Sequence, residues 1–265
     1  MLKQISRRCL LPLSLLFLPL FSSAAAFEEI YSASGYNFSA GLSAFVSPPA
    51  APVSFPSAVI DKAAASGHYL TPSELDLSAV PAAPADGSAA DKKDFETLLA
   101  WQAGRTGAQC SLAQSETEHS FEVFFGKITP FAVPQPDAVK KFFSHVGKDS
   151  VAAHTYLKGI YKRERPFVRD ARIKPCVMRP RGLAYPSGHA TMSRLFALIL
   201  GDLVPSRRKA FIARADEAAL NRVIAGVHHP TDIEAGRLLA NELYRNLLED
   251  EAFVSDMESM RAYLR

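Results

Sequence analysis

The stretch Tyr185-Pro186-Ser187-Gly188-His189-Ala190, running on into Thr-Met-Ser-Arg-Leu-Phe-Ala-Leu-Ile-Leu200, joins a small-residue turn to an apolar run with helical spacing. A turn that enters a helix this way leaves backbone N–H groups free to face an anion. Ser187 adds a hydroxyl, Gly188 lets the backbone come close to a ligand, and His189 stands where a proton donor to a leaving oxygen would be useful. Taken alone, the same residues read equally well as an ordinary capped helix start with a surface histidine.

On either side of this stretch, apolar residues recur every three or four positions from Asp91 onward, and alternating strand-like runs are scarce. Helices are predicted near 91–104, 117–128, 136–146, 149–163, 189–203, 206–226, 230–247 and 251–263. No internal repeat is evident, so the expected fold is all-α, a compact helical bundle over residues 91–265. Residues 27–90 are rich in Ala, Ser and Pro and read as an irregular N-terminal arm. Plain packing is the preferred reading of the arm, with a substrate-access flap as the alternative.

Residues 1–26 place Lys3, Arg7 and Arg8 ahead of an apolar stretch from Cys9 to Phe21 and end in Ala24-Ala25-Ala26. That order is the order of a signal peptide, cut after Ala26, and it implies a periplasmic or secreted protein. The stretch is shorter than the roughly 20 residues that a spanning helix needs, and Pro12 and Pro19 interrupt it, which argues against an uncleaved anchor. The leader holds three of the 30 Lys and Arg and none of the 27 Asp and Glu, so the mature chain is balanced. No global field then favours duplex nucleic acid or an anionic membrane surface, and no later uncharged apolar run reaches membrane length. Of the cysteines only Cys110 and Cys176 outlast cleavage; in an oxidising compartment they can pair, or stay as two thiols.

Two further motifs carry chemistry. In Lys158-Gly-Ile-Tyr-Lys-Arg-Glu-Arg165-Pro166 the two outer cations are seven residues apart and share a face if the helix runs almost to Pro166. Paired cations suit a phosphate dianion, although basic residues near a helix C-terminus also complement its dipole. In Asn221-Arg222-Val-Ile-Ala-Gly-Val-His228-His229-Pro230-Thr231-Asp232, Pro230 suits a first helical turn. Asp232 could then hold one ring nitrogen of His228 and leave the other free to attack phosphorus, with Arg222 as a third cation. His229 is read as a capping or surface residue.

Together, in this order and spacing, the three motifs resemble the signature of the type-2 phosphatidic-acid-phosphatase (PAP2) and vanadium-haloperoxidase superfamily: Lys-x6-Arg-Pro, then Pro-Ser-Gly-His, then Ser-Arg-x5-His-x3-Asp. Within it the chain is most similar to bacterial class A non-specific acid phosphatases over roughly residues 90–260. The resemblance implies His228 as nucleophile, Asp232 as its orienter and His189 as general acid. Lys158, Arg165, Ser187, Gly188 and Arg222 would bind the phosphoryl oxygens of small-molecule monoesters. It also implies a helical PAP2-type domain, a homodimer or larger homo-oligomer, and a neutral His228 beside a protonated His189. Asn221 departs from the pattern, which has Ser there, so its role is open. A vanadate-dependent haloperoxidase, a lipid phosphate phosphatase and a non-catalytic phosphate-binding protein are the competing readings.

No His/Cys or His-Glu spacing of the zinc type is present, so no metal and no cofactor is expected. His68, His119, His145 and His154 fall outside the motifs and read as surface or packing residues. Lys162, Arg163, Arg169, Arg172, Arg179 and Arg181 read mainly as solvated charges. Trp101, Phe121, Phe124 and Phe125 read as core.

Overall fold

The computed structural model describes residues 67–265; the leader expected at 1–26 and the arm's residues 27–66 lie outside the described residues. The helices are α1 (Ala89–Gly104), α2 (Gly107–Ser115), α3 (Phe121–Phe125), α4 (Asp137–Tyr161), α5 (Pro166–Arg169), α6 (Gly188–Leu203), α7 (Arg208–Ile224), α8 (Pro230–Leu247) and α9 (Glu251–Ser259). Among the described residues there is no strand; one isolated bridge joins Phe131 to Leu264. Several starts are fixed by side chains that accept from the first turn, as the free N–H groups there require: Ser88, Thr106, Ser120, Ser187 and Asp250.

Helix α6 lies at the centre, packed by α4, α7 and α8, and is buried almost all round. Its apolar run is therefore a core helix rather than an amphipathic one. One end of the core is aromatic. Phe121 stacks on Phe143 with centroids 3.9 Å apart, and Phe143 meets Phe196 edge-on at 5.2 Å. Phe121, Phe124 and Phe125 are core as expected, whereas Trp101 is only half-buried.

Three predicted boundaries change. The helices expected at 136–146 and 149–163 are one 25-residue helix, α4, which runs through Gly147. That glycine costs about 1 kcal/mol of helix propensity, but it is buried where α4 crosses Met192 and Phe196. The helix also stops earlier than the Lys158–Arg165 reading needs. It ends at Tyr161, Lys162 adopts a left-handed φ of 50°, and Arg165 is the extended residue before α5. Lys158 and Arg165 thus do not share a helix face. Helix α2 was not expected; a reciprocal capping box between Thr106 and Gln109 starts it.

The described part of the arm, residues 67–88, is irregular apart from one 3-10 turn at Pro72–Glu74 and lies against the helices. Asp149 Oδ1 on α4 accepts from the backbone N–H groups of His68, Tyr69 and Leu70 at 2.7, 3.0 and 3.0 Å, and Leu77 and Val80 enter the core. Packing, not a flap, describes these residues.

Cys110 on α2 and Cys176, in the connection that leads to Ser187, are disulfide-bonded across 66 residues. A loop of that length is expected to contribute about 4 kcal/mol through the unfolded chain's lost freedom. Denaturant midpoints with and without reductant check this; unchanged midpoints after verified reduction would refute it.

Candidate functional site

Helix α7 ends at Ile224, and Gly226, with a φ of +76°, turns the chain sharply so that His228 and His229 precede Pro230 at the start of α8. His229 is the N-cap residue of α8 and its backbone N–H donates to Asp232 Oδ2, in line with the capping reading, but it is fully buried rather than on the surface. Asp232 is fully buried and each oxygen is held. Oδ2 accepts from His229 N at 2.7 Å, His229 Nδ1 at 2.9 Å and His228 Nδ1 at 3.3 Å. Oδ1 accepts from Arg163 Nη1 at 2.8 Å. Burial alone would raise the Asp232 pKa, yet the two histidines pull it well below the carboxylate range.

The carboxylate fixes the His228 tautomer. With Nδ1–H directed at Asp232, Nε2 is the lone-pair nitrogen, and Arg165 Nη1 donates to it at 2.7 Å. Burial and then the Arg165 charge hold His228 well below its usual 6.5, against the pull of Asp232.

Lys158, Arg165 and Arg222 gather around this nitrogen's surroundings. Each lowers or feels another's charge, and none has a carboxylate within ion-pair distance among the described residues. Arg165 donates to the carbonyls of Gly182 (3.2 Å) and Val227 (3.0 Å), and Arg222 to that of Ala113. The Nε of Arg222 is buried without a hydrogen-bond partner in the protein. Burial pushes Lys158 down to about 8 and Arg165 and Arg222 down to about 10. Cations removed from water without a counter-charge are costly, so two buried and one half-buried in one place mark a site for an anion.

Arg163 and Arg169 are the opposite case and correct the expectation that they are solvated. Arg163 Nη1 binds Thr231 Oγ1 (2.7 Å) as well as Asp232, while Nη2 binds Asp91 Oδ1 (2.9 Å) and Asp94 Oδ2 (2.8 Å). Arg169 grips Asp86 and Asp91 and reaches His229 Nε2 at 3.1 Å. These arginines are structural braces behind the histidine pair. Lys162, Arg172, Arg179 and Arg181 are exposed as expected.

The Ser187 segment is tied to α8 by a backbone bond from Ser187 N to Asp232 O at 2.9 Å. Helices α6 and α8 cross closely at Gly236, where a Cβ would stand 2.6 Å from Ser187 O. Gly188 has a more local reason to be glycine than approach to a ligand: a Cβ there would strike the His154 ring at 2.8 Å. Ser187 Oγ accepts from Ala190 N at 3.4 Å, which leaves its O–H to donate elsewhere.

His189 Nε2–H donates to the Glu116 carbonyl at 2.7 Å, so Nδ1 is its other available nitrogen. Burial, followed by the charges near His119 and Arg222, holds His189 well below 6.5 in spite of that carbonyl. The expected protonated state is therefore not favoured by the protein alone. Asn221, whose role the sequence left open, donates from Nδ2 to Glu116 Oε2 at 2.8 Å.

Two histidines read as packing residues stand at the site. His154 on α4 abuts Gly188, and the His119 ring packs tilted against that of His189 with centroids 3.9 Å apart. Burial and then Lys158 press His154 down to about 3. Removal from water and then Lys158, Arg222 and Arg165 press His119 to about 4; the residue is exposed, so the cations are the firmer cause. His68 and His145 stack on each other at the surface, away from the motifs. His154 precedes Lys158 by one helical turn, which was the available signal; nothing in the sequence pointed to His119.

Buried neutral histidines make stability pH-dependent. The unfolded chain binds protons near 6.5 while His154 resists to about 3, so its contribution is complete above 6.5 and is lost as the pH falls toward 3. Stability is expected to fall over that window by about 1.4 kcal/mol per pH unit per such histidine, with His154→Asn removing one share of the slope. Denaturant midpoints at about pH 7 and about pH 4.5 measure it, and equal slopes in both proteins would refute it.

Among the described residues no group of three or more His, Cys, Asp or Glu is placed to share a metal ion, and no helix is long and apolar enough to cross a membrane. The arrangement is a helical oxyanion site with a lone-pair histidine nitrogen at its floor. Its residues coincide with a known pattern: the model of the PAP2 superfamily matches residues 139–241 of the chain. The chain is 35% identical over 112 residues to an acid phosphatase of Zymomonas mobilis, a match covering 40% of this chain and 42% of that protein. It is 27% identical over 199 residues to a non-specific acid phosphatase of Salmonella typhimurium, covering 70% and 78%. The aligned part thus spans less than half of the first relative's length. A crystal structure of a bacterial vanadium-dependent iodoperoxidase shares the fold with a TM-score of 0.51 and 17% identity, covering 64% of this chain and 51% of that one.

Proposed function

We propose that the protein is an exported acid phosphatase that hydrolyses phosphate monoesters, with broad acceptance, through a phosphohistidine on His228. The observation that carries the proposal is the trio of buried Arg165 and Arg222 and half-buried Lys158, none with a carboxylate partner among the described residues, near the lone-pair nitrogen of His228. The signal-peptide reading of residues 1–26 and the two acid-phosphatase relatives support export and substrate class.

In this reading the three cations and the Ser187 hydroxyl bind the phosphoryl oxygens, and Arg165 moves its Nη1 donor from Nε2 to an oxygen. Nε2 then attacks phosphorus in line, the P–O ester bond breaks, and His189 gives a proton from Nδ1 to the leaving oxygen, releasing the alcohol. A substrate dianion supplies the negative charge that raises His189 into its protonated form. His189, now neutral, next takes a proton from water as the water oxygen attacks phosphorus. The N–P bond breaks, and phosphate and free His228 are regenerated.

Hydrolysis of an aryl phosphate by the mature protein at mildly acidic pH is expected to survive a chelator and to follow a bell-shaped pH profile. Rate falls at low pH as His228 gains a proton and at high pH as His189 loses one. Loss of activity to a chelator with recovery on adding a divalent ion would overturn the mechanism. Vanadate- and peroxide-dependent bromide oxidation, without monoester hydrolysis, would move the protein to the haloperoxidase branch.

A further inference from the structure

Beside His119 and His189 a pocket of about 470 Å³ opens between α3 and α4. Its floor is formed by Phe121, Phe143, Met192 and Phe196, all almost fully buried, with Gly147 among them. Gly147 leaves room where a side chain would otherwise stand: a Cβ there would only come to 3.7 Å from Met192 Cε and 3.9 Å from Phe196 Cζ. The volume falls in the range of small-ligand pockets, and an apolar floor of this kind suits a flat ring.

The pocket and the cation site meet at one pair of rings. His119 lines the pocket, is exposed, packs tilted against His189 with centroids 3.9 Å apart and feels Lys158, Arg165 and Arg222. His119 is thus the residue common to both: its ring lies 3.9 Å from that of His189, the proposed proton donor, and it lines the same pocket as Phe121, Phe143 and Phe196.

We propose that this pocket is the leaving-group subsite and that it selects aromatic leaving groups, making aryl phosphate monoesters the preferred substrates over those of small polar alcohols. The assignment rests on His189 as the proton donor in the proposed function. His119 provides the stacking edge at the entrance, and Gly147 is the specificity-determining position, because any larger residue there fills the space.

The test uses two phosphonates that cannot be hydrolysed. Benzylphosphonate carries a ring with CH2 in place of the bridging oxygen, and methylphosphonate lacks the ring. Calorimetry on the mature protein is expected to show benzylphosphonate binding about tenfold tighter or more. Gly147→Leu should abolish that preference while leaving methylphosphonate affinity within about twofold. Val151→Asp, at an exposed position on the pocket rim, should reduce the preference several-fold and guards against a folding defect in the first variant. The ratio of kcat/KM for phenyl phosphate over glycerol 2-phosphate should follow the same order. Methylphosphonate binding without any benzyl preference would sink the subsite alone, as would equal weakening of both ligands in Gly147→Leu. Failure of the wild type to bind either phosphonate or inorganic phosphate would sink the functional reading, and the subsite with it.

Discussion

Replacing His228 by Ala is expected to lower turnover of every phosphate monoester by at least about four orders of magnitude, whatever the leaving group, because the attacking atom itself is removed. Replacing His189 by Ala should instead cost about 10²- to 10⁴-fold, graded by leaving group. Alkyl phosphates, whose alkoxide is a poor leaving group, need the proton most, and nitrophenyl phosphate needs it least. The measurement is kcat/KM for both variants over a series of phenols and alcohols of rising pKa. A steep dependence for His189→Ala beside a flat one for His228→Ala assigns the two roles. Equal slopes would remove the division of labour, and substantial turnover by His228→Ala would remove the phosphohistidine. Phosphate binding should persist in His228→Ala, since Lys158, Arg165 and Arg222 are untouched.

Arg163→Ala is expected to destabilise the fold by about 3–5 kcal/mol, the usual cost of orphaning buried charges. Its guanidinium contacts Thr231, Asp232, Asp91 and Asp94 through two nitrogens, and all three carboxylates are buried. Arg163→Lys should restore little, because one ammonium cannot reproduce a planar fork holding acceptors on two sides. Activity should drop as well, since Asp232 loses the donor that fixes its Oδ1 and with it the aim of His228. Adding Asp94→Asn to Arg163→Ala should recover part of the stability by removing one orphan charge. Urea midpoints and kcat for the four proteins test this, and an Arg163→Ala midpoint close to that of wild type would refute it.

The pattern of the candidate site was legible because each motif sits within a dozen residues, two of them at a helix start, where local chemistry repeats from protein to protein. Ser187 caps α6 and Pro230 opens α8 much as their residue types suggest. The supporting partners were not legible, because each reaches the site from far along the chain. Asp91 and Asp94 meet Arg163 across 72 and 69 residues, and Glu116 meets Asn221 across 105. Contacts of this kind leave no periodicity. Gly147 looked like a helix break, and only the packing of Met192 and Phe196 explains why α4 continues through it. Helix α2 has little apolar pattern, but Thr106 and Gln109 spelled a capping box that could have revealed it.

The Arg163 brace also bears on where the protein can be cut. The family signature begins at residue 139, yet two of the carboxylates answering Arg163 come from α1, at Asp91 and Asp94, and Glu116 and Cys110 also lie upstream of that boundary. A fragment trimmed to the signature would hold every proposed catalytic group while leaving the cation behind Asp232 short of two of its three counter-charges. The smallest excisable unit therefore starts ahead of Asp86, which anchors Arg169. Shuffling the signature segment between relatives would need to carry α1 and α2 with it.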